Sequence, residues 1–232
     1  PSHSWLSLSK NIYELFLKYF DKNYNKINFQ LSYNHHDVRI FDWWKYGKKR
    51  GRYTIKPRYT ALIENLDKKD LPQILSEFRY WRRRETKIFS NNKNIVRSNS
   101  VKLDEISDLY RKVAFKNKKK IDKETLNNLE SHYKAVINGF GEFICFKEKN
   151  TLESFSLILF DKNSAHLVLS LTGEKYKKQG LAALNILSSI MSAKNNGKKV
   201  FDFNGANSPD RGDDKHSYGA KYKLYFEVNK NA

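Results

Sequence analysis

The sequence predicts an α+β protein with one mixed, mostly antiparallel sheet flanked by helices. Residues 140–171 contain three successive runs rich in aromatic and β-branched residues, separated by polar turns, which is typical of an antiparallel meander. Residues 177–228 follow as helix, strand, polar loop and strand. In sheets of this kind a ligand usually binds at the carboxyl end of a strand that is followed by such a loop. Amphipathic patterns precede the meander, so we expect helices layered on the sheet.

The first 97 residues alternate helix and strand patterns and are predicted to form a separate, partial half. Asp70 is suited to cap a helix, and Pro72 fits its first turn. The predicted elements are helix 6–20, strand 27–31, strand 59–66, helix 71–89 and a brief strand 95–97.

Residues 98–232 are predicted to form the second and more complete domain. Gly197 is placed to end the long helix that follows the meander. The predicted elements are two helices within 103–136, strands 140–146, 154–160 and 165–171, helix 177–196, strand 200–204, loop 205–214, a compact turn 215–219 and strand 223–228.

Composition limits the class of protein. The 232 residues carry a formal net charge of +19. Either an anionic partner or a general bias toward Lys and Asn explains this charge. The basic residues are spread along the chain and no long basic tail stands apart, which fits the general bias. Cys145 is the only cysteine and lies in an apolar run, which favours a buried side chain and a reducing compartment. No stretch has the roughly 20 apolar residues of a membrane span, so we expect a cytoplasmic or membrane-peripheral protein.

Small residues before the long C-terminal helix indicate a phosphate site. Lys177, Gln179, Gly180, Leu181 and Ala182 mark the change from loop to helix. Glycine lets a backbone approach a pyrophosphate, and the free N–H groups of a helix start meet its charge. A plain turn into a helix explains the same residues, and the spacing alone does not choose between the two.

Two further stretches suggest nucleic acid or packing. Residues 41–59 mix aromatic and basic side chains, which either stack bases or sugars or form the wall of a small domain. Arg82, Arg83 and Arg84 are consecutive in a predicted helix and fan over more than half of its circumference, so they cannot all serve one phosphate.

The order of these motifs resembles a known family. Phe201-Asp202-Phe203-Asn204-Gly205, followed by Lys215-His-Ser-Tyr218-Gly219, is similar to the ending of the Fem-like and BioF2-like branch of the GNAT acyltransferases. Arg82 to Lys87 resembles the basic helix that joins the two GNAT-like halves there. The first half looks too short for a complete GNAT domain, and no long helical hairpin is visible.

The resemblance implies an acyl-CoA donor with its pyrophosphate against residues 177–182 and its carbonyl between strands 165–171 and 200–204. Asp202 and His216 are the first candidates for the base that takes a proton from the acceptor amine, with Glu142 and Glu174 behind them. Asp202 as a cap of the following loop is an equal alternative, and His216 as an ordinary surface histidine is the alternative to its role as the base.

Four more residues are assigned to the same site by the resemblance. Lys215 holds a phosphate or the developing oxyanion, and Tyr218 protonates the leaving thiolate, with a solvated lysine and a packed tyrosine as the alternatives. Asn204 and Arg211 contact the acceptor. No metal ion is expected.

The predicted function is transfer of an acyl group, acetyl first, from acyl-CoA to the amine of an amino sugar, amino acid or cell-envelope precursor. One alternative is an aminoacyl-tRNA donor, which the charge and the arginines motivate but the missing hairpin disfavours. The other is a non-catalytic module that binds nucleic acid or glycan through residues 41–59.

Overall fold

The computed structural model describes residues 3–35, 37–98, 100–118 and 120–230, and the side chains of residues 10–230 within these ranges except Asp210. The helices are α1 His3–Asn23, α2 Arg39–Trp43, α3 Leu71–Glu77, α4 Tyr80–Ser90, α5 Leu103–Lys116, α6 Lys123–Ile137, α7 Glu174–Lys177, α8 Leu181–Asn195 and α9 Pro209–His216. The strands are β1 Ile27–Gln30, β2 Thr54–Ile63, β3 Val96–Ser98, β4 Gly141–Glu148, β5 Thr151–Phe160, β6 Ser164–Thr172, β7 Val200–Asp202 and β8 Lys221–Lys230.

The chain divides into two compact units. The larger unit is Ala61–Lys221, and the smaller unit comprises the chain up to Thr60 and from Tyr222 onward. In the smaller unit, β1 pairs antiparallel with β8, and Leu17 of α1 packs with Phe41 and Tyr53 in a core of its own. The predicted division near residue 97 into two GNAT-like halves stays a prediction.

The larger unit is built on a layered sheet with the order β2, β7, β6, β5, β4, β3. β4, β5 and β6 pair antiparallel in succession, which confirms the predicted meander. Helix α8 packs on one face through Leu181, Ile186 and Ile190, while α5 and α6 cover the other face around Phe155 and Leu157. Cys145 is buried there, and burial raises the pKa of its thiol to about 12, so it packs as a hydrophobic side chain.

The predicted helix 71–89 is wrong as one element. Phe78 and Arg79 have extended backbone between α3 and α4. Phe78 is buried with its ring centre 5.2 Å from that of Tyr218, and the Arg79 N–H donates to the Ser217 carbonyl at 2.8 Å. Burial of Phe78 therefore bends the chain, a tertiary contact that helical periodicity does not reveal. The Asp70 cap is confirmed, because its carboxylate accepts the Gln73 N–H at 2.8 Å.

The stretch after β7 also differs from its prediction. Residues 205–214 were predicted as a loop, but α9 occupies Pro209–His216, with Pro209 at its first position. Proline fits a helix start because the N–H it lacks has no partner within the helix. The polar composition of Pro209–Asp214 concealed this short helix.

Candidate active site

The parallel contact between β6 and β7 is short, and it ends at two polar residues. Three pairs face one another, from Ser164 and Val200 to His166 and Asp202. β6 continues to Thr172, whereas β7 ends at Asp202. Past this last pair β6 therefore runs on without β7 beside it, and the site is built where the two strands part.

Three titratable side chains meet at this point. His166 Nδ1 lies 3.6 Å from Asp202 Oδ2, and His166 Nε2 lies 3.0 Å from Asp161 Oδ2. Asp202, and less strongly Asp161, outweighs partial burial and raises the pKa of His166 to about 9. The raised pKa favours the imidazolium form of His166 at neutral pH, so a positive charge lies between the Asp202 and Asp161 side chains.

Asp202 also organises the loop that follows it. It is 6% exposed, and its Oδ1 accepts the Asn204 N–H at 2.8 Å. Phe201 and Phe203 lie in the core under α8, so Asp202 faces away from their side, as strand alternation predicts. The structure thus supports the capping role for this carboxylate and gives it a charged partner as well.

Lys215 closes the same loop from α9. Its ammonium donates to the Phe203 carbonyl at 2.7 Å and also to the Gly205 carbonyl. Burial and the nearby Arg211 lower the pKa of Lys215 to about 8. Lys215 therefore holds the backbone after β7, and its predicted contact with a phosphate or oxyanion stays a prediction.

The structure does not bring the remaining predicted catalytic residues to the His166–Asp202 pair. His216 is exposed, and its Nδ1 lies 3.2 Å from the Ala220 carbonyl. Tyr218 is 2% exposed, packs on Phe203, and has a pKa raised by burial. This position gives Tyr218 a packing role, and the geometry gives no support to a proton donor there. Arg211 is exposed on α9, near Lys215.

Two carboxylates predicted as reserve bases are engaged elsewhere. Glu142 accepts hydrogen bonds from Ser192 and Asn196 at the end of α8. Glu174 pairs with Lys177 at 3.3 Å on the short helix α7. These contacts give both carboxylates a structural role away from the His166–Asp202 pair.

Gly180, at the corner before α8, packs against the backbone of helix α4. Gly180 is buried with φ +102°, and a Cβ on it would lie 2.8 Å from the Glu85 carbonyl oxygen of α4. The sequence explained this glycine by the close approach of a pyrophosphate. In the structure the backbone of α4 approaches it instead, and this contact alone accounts for a residue without a Cβ. Leu181 is fully buried, which speaks against its predicted donor contact, so a donor site here depends on the N–H group of the partly exposed Ala182 and stays a prediction.

Two predicted donor contacts lie beside this corner on the surface. Lys177 is exposed and pairs with Glu174, and Gln179 donates to the Lys175 carbonyl at 2.8 Å. Both are accessible to a ligand at the start of α8.

The three arginines of α4 are largely used within the protein. Arg82 donates to Ser217 at 2.9 Å, Glu85 at 2.8 Å and Asp214, and it lies over the Tyr218 ring. Arg83 donates to two backbone carbonyls at the end of α3. Arg84 lies over Trp81. Arg82 and Arg83 therefore stabilise the bend between α3 and α4, which weakens the link between this triplet and tRNA.

His166 and Asp161 were missed by the sequence analysis. The available signal was a histidine inside the apolar run Ala165–Leu169.

Within the described part of the chain, no group of three His, Cys, Asp or Glu side chains is arranged to hold a metal ion. The same part of the chain contains no helix with the length and apolarity needed to cross a bilayer.

We expect His166 to make stability depend on pH. Its folded pKa of about 9 lies above the ordinary value of 6.5, so the folded state binds more protons between these values. The stabilisation is full below pH 6.5 and is lost as the pH rises through about 9. Urea unfolding of the wild type and His166→Gln should show a free-energy difference that shrinks between pH 6 and pH 10.

Lys215 acts in the opposite direction. Its depressed pKa imposes a penalty that is relieved as the pH rises from about 8 toward 10.5. Both proteins share this effect, so it largely cancels in the difference. A free-energy difference that stays constant across the range would contradict the charged state of His166.

No protein-family model and no curated protein matches this sequence. Solved structures do match. FemX superposes with a TM-score of 0.61 and 11% identity over 73% of this chain and 61% of the FemX chain. L-PGS from Bacillus licheniformis gives 0.60 and 14% over 94% of this chain and 72% of that one. A GCN5-related glucosamine N-acetyltransferase region of a fungal GH3 β-N-acetylglucosaminidase superposes with a TM-score of 0.50 and 12% identity. The match covers 84% of this chain and 23% of that one.

These similarities establish the fold. The mixed, mostly antiparallel sheet with flanking helices is a GNAT-like fold, as the sequence predicted, and it is similar to the folds of FemX and L-PGS. The chain spans less than two thirds of the FemX chain, so what the whole of such a protein does is not carried over by the match.

Proposed function

Given the GNAT-like fold, we propose that this protein is an N-acyltransferase that moves an acyl group from acyl-CoA to an amine. Acetyl is the first candidate for the acyl group, and an amino sugar, an amino acid or a cell-envelope precursor is the acceptor. The observation that carries this proposal is the buried Asp202, paired with His166 where β6 and β7 separate. The glucosamine N-acetyltransferase similarity supports an amino sugar among these acceptors.

The charge of the cluster suits an amine. An acceptor enters as an ammonium ion and must lose a proton before its nitrogen attacks the thioester carbonyl. Asp202 and Asp161 attract the ammonium, while the His166 imidazolium keeps both carboxylates in place. In this mechanism Asp202 accepts the proton, directly or through water, and His166 is a positioning residue.

The loop after β7 supplies the rest of the acceptor side. Asn204 has φ +53° and donates its N–H to Asp202, which fixes the direction of its side chain at the strand end. Lys215 holds the carbonyls of Phe203 and Gly205. In the proposal Asn204 and the exposed Arg211 contact the acceptor, and Lys215 keeps the loop in the conformation that presents them.

The donor is proposed to bind at the start of α8. The N–H groups in the first turn of a helix have no partners within the helix and attract a diphosphate. The partly exposed Ala182 supplies such an N–H group, whereas Leu181 is fully buried; Lys177 and Gln179 lie just before. The single buried cysteine and the use of acyl-CoA together suggest the cytoplasm as the location.

Acetyl-CoA is expected to stabilise the protein. At one hundred times its dissociation constant a ligand adds about 2.7 kcal/mol, which raises Tm by roughly 5–10 °C for a chain of this size. Ala182→Asp should abolish this shift, because its carboxylate repels the diphosphate. An acidic residue in the first turn is otherwise favourable to a helix, so the free variant should stay folded.

Ala182→Ser is the matched control and should keep the shift. If neither acetyl-CoA nor a longer acyl-CoA raises the Tm of the wild type in a thermal-shift assay, the donor is wrong. An aminoacyl-tRNA donor would then be tested by filter binding, where its affinity must fall steeply with salt.

One observation keeps a binding role as the second candidate. Trp43 and Tyr46 are exposed in the smaller unit, with Arg39 and Arg52 at 5.3 and 5.7 Å from their ring centres. Such pairs of aromatic ring and guanidinium are suited to nucleic acid or glycan. A binding module would lose its function with Trp43→Ala and keep it with Asp202→Asn, whereas the proposed enzyme shows the opposite.

A further inference from the structure

Helix α1 has an apolar face that the smaller unit does not cover. Leu17 is fully buried, and Tyr13 packs edge-on against Phe41. Ile12, Leu15, Phe16 and Tyr19 are exposed on a neighbouring face, Leu15 by 67% and Phe16 by 55%. Their spacing of three and four residues places them side by side along the helix. The exposed face of α1 is therefore a continuous apolar strip about two turns long.

Aromatic rings extend this strip at the helix end. The ring centre of Tyr19 lies 6.3 Å from that of the exposed Tyr24, and the ring centre of Phe16 lies 6.3 Å from that of Phe20. Phe20 in turn contacts Phe29, which joins the core of the unit. The exposed rings are thus connected through Phe20 to the core of the smaller unit.

The charges beside the strip are positive. Lys18 and Lys22 are exposed and lie three and seven residues after Leu15, along the same edge of the strip. Neither forms an ion pair within the described residues. The acidic residues of α1 are already neutralised: Glu14 pairs with Lys10, and Asp21 pairs with both Lys45 and Lys230. Residues 1–60 contain 12 Lys and Arg against four Asp and Glu. The strip is therefore presented to any partner inside a positive field.

We propose that the exposed face of α1 docks this protein on the surface of an anionic phospholipid bilayer. Ile12, Leu15 and Phe16 enter the boundary of the acyl chains, Tyr19 and Tyr24 lie at headgroup depth, and Lys18 and Lys22 meet lipid phosphates. An amphipathic helix with lysines beside a Phe, Tyr and Leu face has the side-chain chemistry of such an interface.

Other occupants fit these residues less well. A second copy packed face to face would bring its own Lys18 and Lys22 toward those of the first, with like charges in contact. Nucleic acid would satisfy the lysines but leaves Ile12 and Leu15 against phosphate and water, where aliphatic side chains gain nothing. A bilayer accepts both the lysines and the aliphatic side chains.

The test is sedimentation of the protein with vesicles. The wild type is expected to bind vesicles of phosphatidylglycerol and phosphatidylcholine, and to bind pure phosphatidylcholine much less. Leu15→Glu with Phe16→Glu should lower the partition coefficient at least tenfold. Lys18→Gln with Lys22→Gln should lower it about thirtyfold on anionic vesicles, at roughly a fivefold loss for each lysine.

A double variant of equal charge change serves as the control. Phe115 and Ile137 are exposed by 86% and 64% on α5 and α6. Phe115→Glu with Ile137→Glu should keep the partition within about threefold of the wild type. Circular dichroism checks that each variant is folded.

Three results would overturn the proposal. The first is a wild type that does not bind anionic vesicles. The second is a folded Leu15→Glu, Phe16→Glu variant that binds as well as the wild type. The third is loss of a dimer by this variant in light scattering, or loss of RNA binding, with unchanged vesicle binding. None of these readouts involves acyl transfer, so the proposal stands or fails separately from the enzyme assignment.

Discussion

Asp202→Asn is expected to lower kcat/KM for acyl transfer by roughly 10²–10⁴, the usual contribution of a proton-accepting group. Asn has nearly the same shape, and its side-chain oxygen still accepts the Asn204 N–H that Asp202 accepts at 2.8 Å. It removes the negative charge beside His166 and the ability to take a proton from the acceptor amine. Because the contact that stabilises the His166 imidazolium is lost as well, Tm should also fall, and the assay is run well below the Tm of the variant. The loss of kcat/KM is measured as thiol release from acetyl-CoA with glucosamine as the acceptor.

His216→Gln is the control, because the sequence ranked His216 beside Asp202. His216 is exposed on the surface, and its ring nitrogen lies against the Ala220 carbonyl. We expect this variant to keep kcat/KM within about threefold. If His216→Gln instead loses a hundredfold and Asp202→Asn does not, the base is misassigned.

His166→Gln separates positioning from catalysis at the same site. It leaves the Asp202 carboxylate in place but removes the positive charge 3.6 Å away. We expect a smaller loss of kcat/KM than with Asp202→Asn, together with a changed alkaline limb of the pH profile. An unchanged pH profile would mean that His166 does not act on Asp202.

Gly180→Ala is expected to destabilise the protein by about 3 kcal/mol, which lowers Tm by roughly 6–12 °C. Two costs add. Gly180 has φ +102°, a conformation that a residue with a Cβ rarely adopts, and the new Cβ would lie 2.8 Å from the Glu85 carbonyl. Because that atom belongs to the backbone of α4, α4 and α8 must separate to admit the methyl group. Thermal or urea unfolding measures the effect.

Gly197→Ala provides the matched control. Gly197 has φ +69°, but its added Cβ meets nothing within 4 Å. Only the backbone cost of about 1 kcal/mol is expected there. If both variants lose the same stability and Gly180→Ala alone loses the shift caused by acetyl-CoA, Gly180 serves a ligand and the packing explanation is wrong.

The local pattern of the chain predicted the elements that depend on short-range forces. Alternating and β-branched residues gave the meander of β4, β5 and β6, and Asp70 caps its helix through a hydrogen bond with the N–H three residues on. The pattern missed α9 and the bend at Phe78. The bend depends on the contact of Phe78 with the distant Tyr218, which periodicity does not encode, and α9 lacks the apolar periodicity that reveals a helix.

The candidate site shows the same limit at the level of single residues. The structure places Asp202, Asn204 and Lys215 near one another because β7, the loop after it and α9 are consecutive in sequence, and their roles stay predictions. His166 was missed because only the parallel register of β6 and β7 brings it to Asp202. For Tyr218 the sequence left both a proton donor and a packed side chain open, and its burial beside Phe78 supports packing.

The sequence by itself determined the α+β sheet, the order of its elements and the polar strand end, since helical and strand periodicity reflect which side chains must leave water. The tertiary structure alone decided which charges meet and what approaches Gly180. Those facts depend on strand register and on the packing of α4 against α8, where residues far apart in the chain come within a few ångströms.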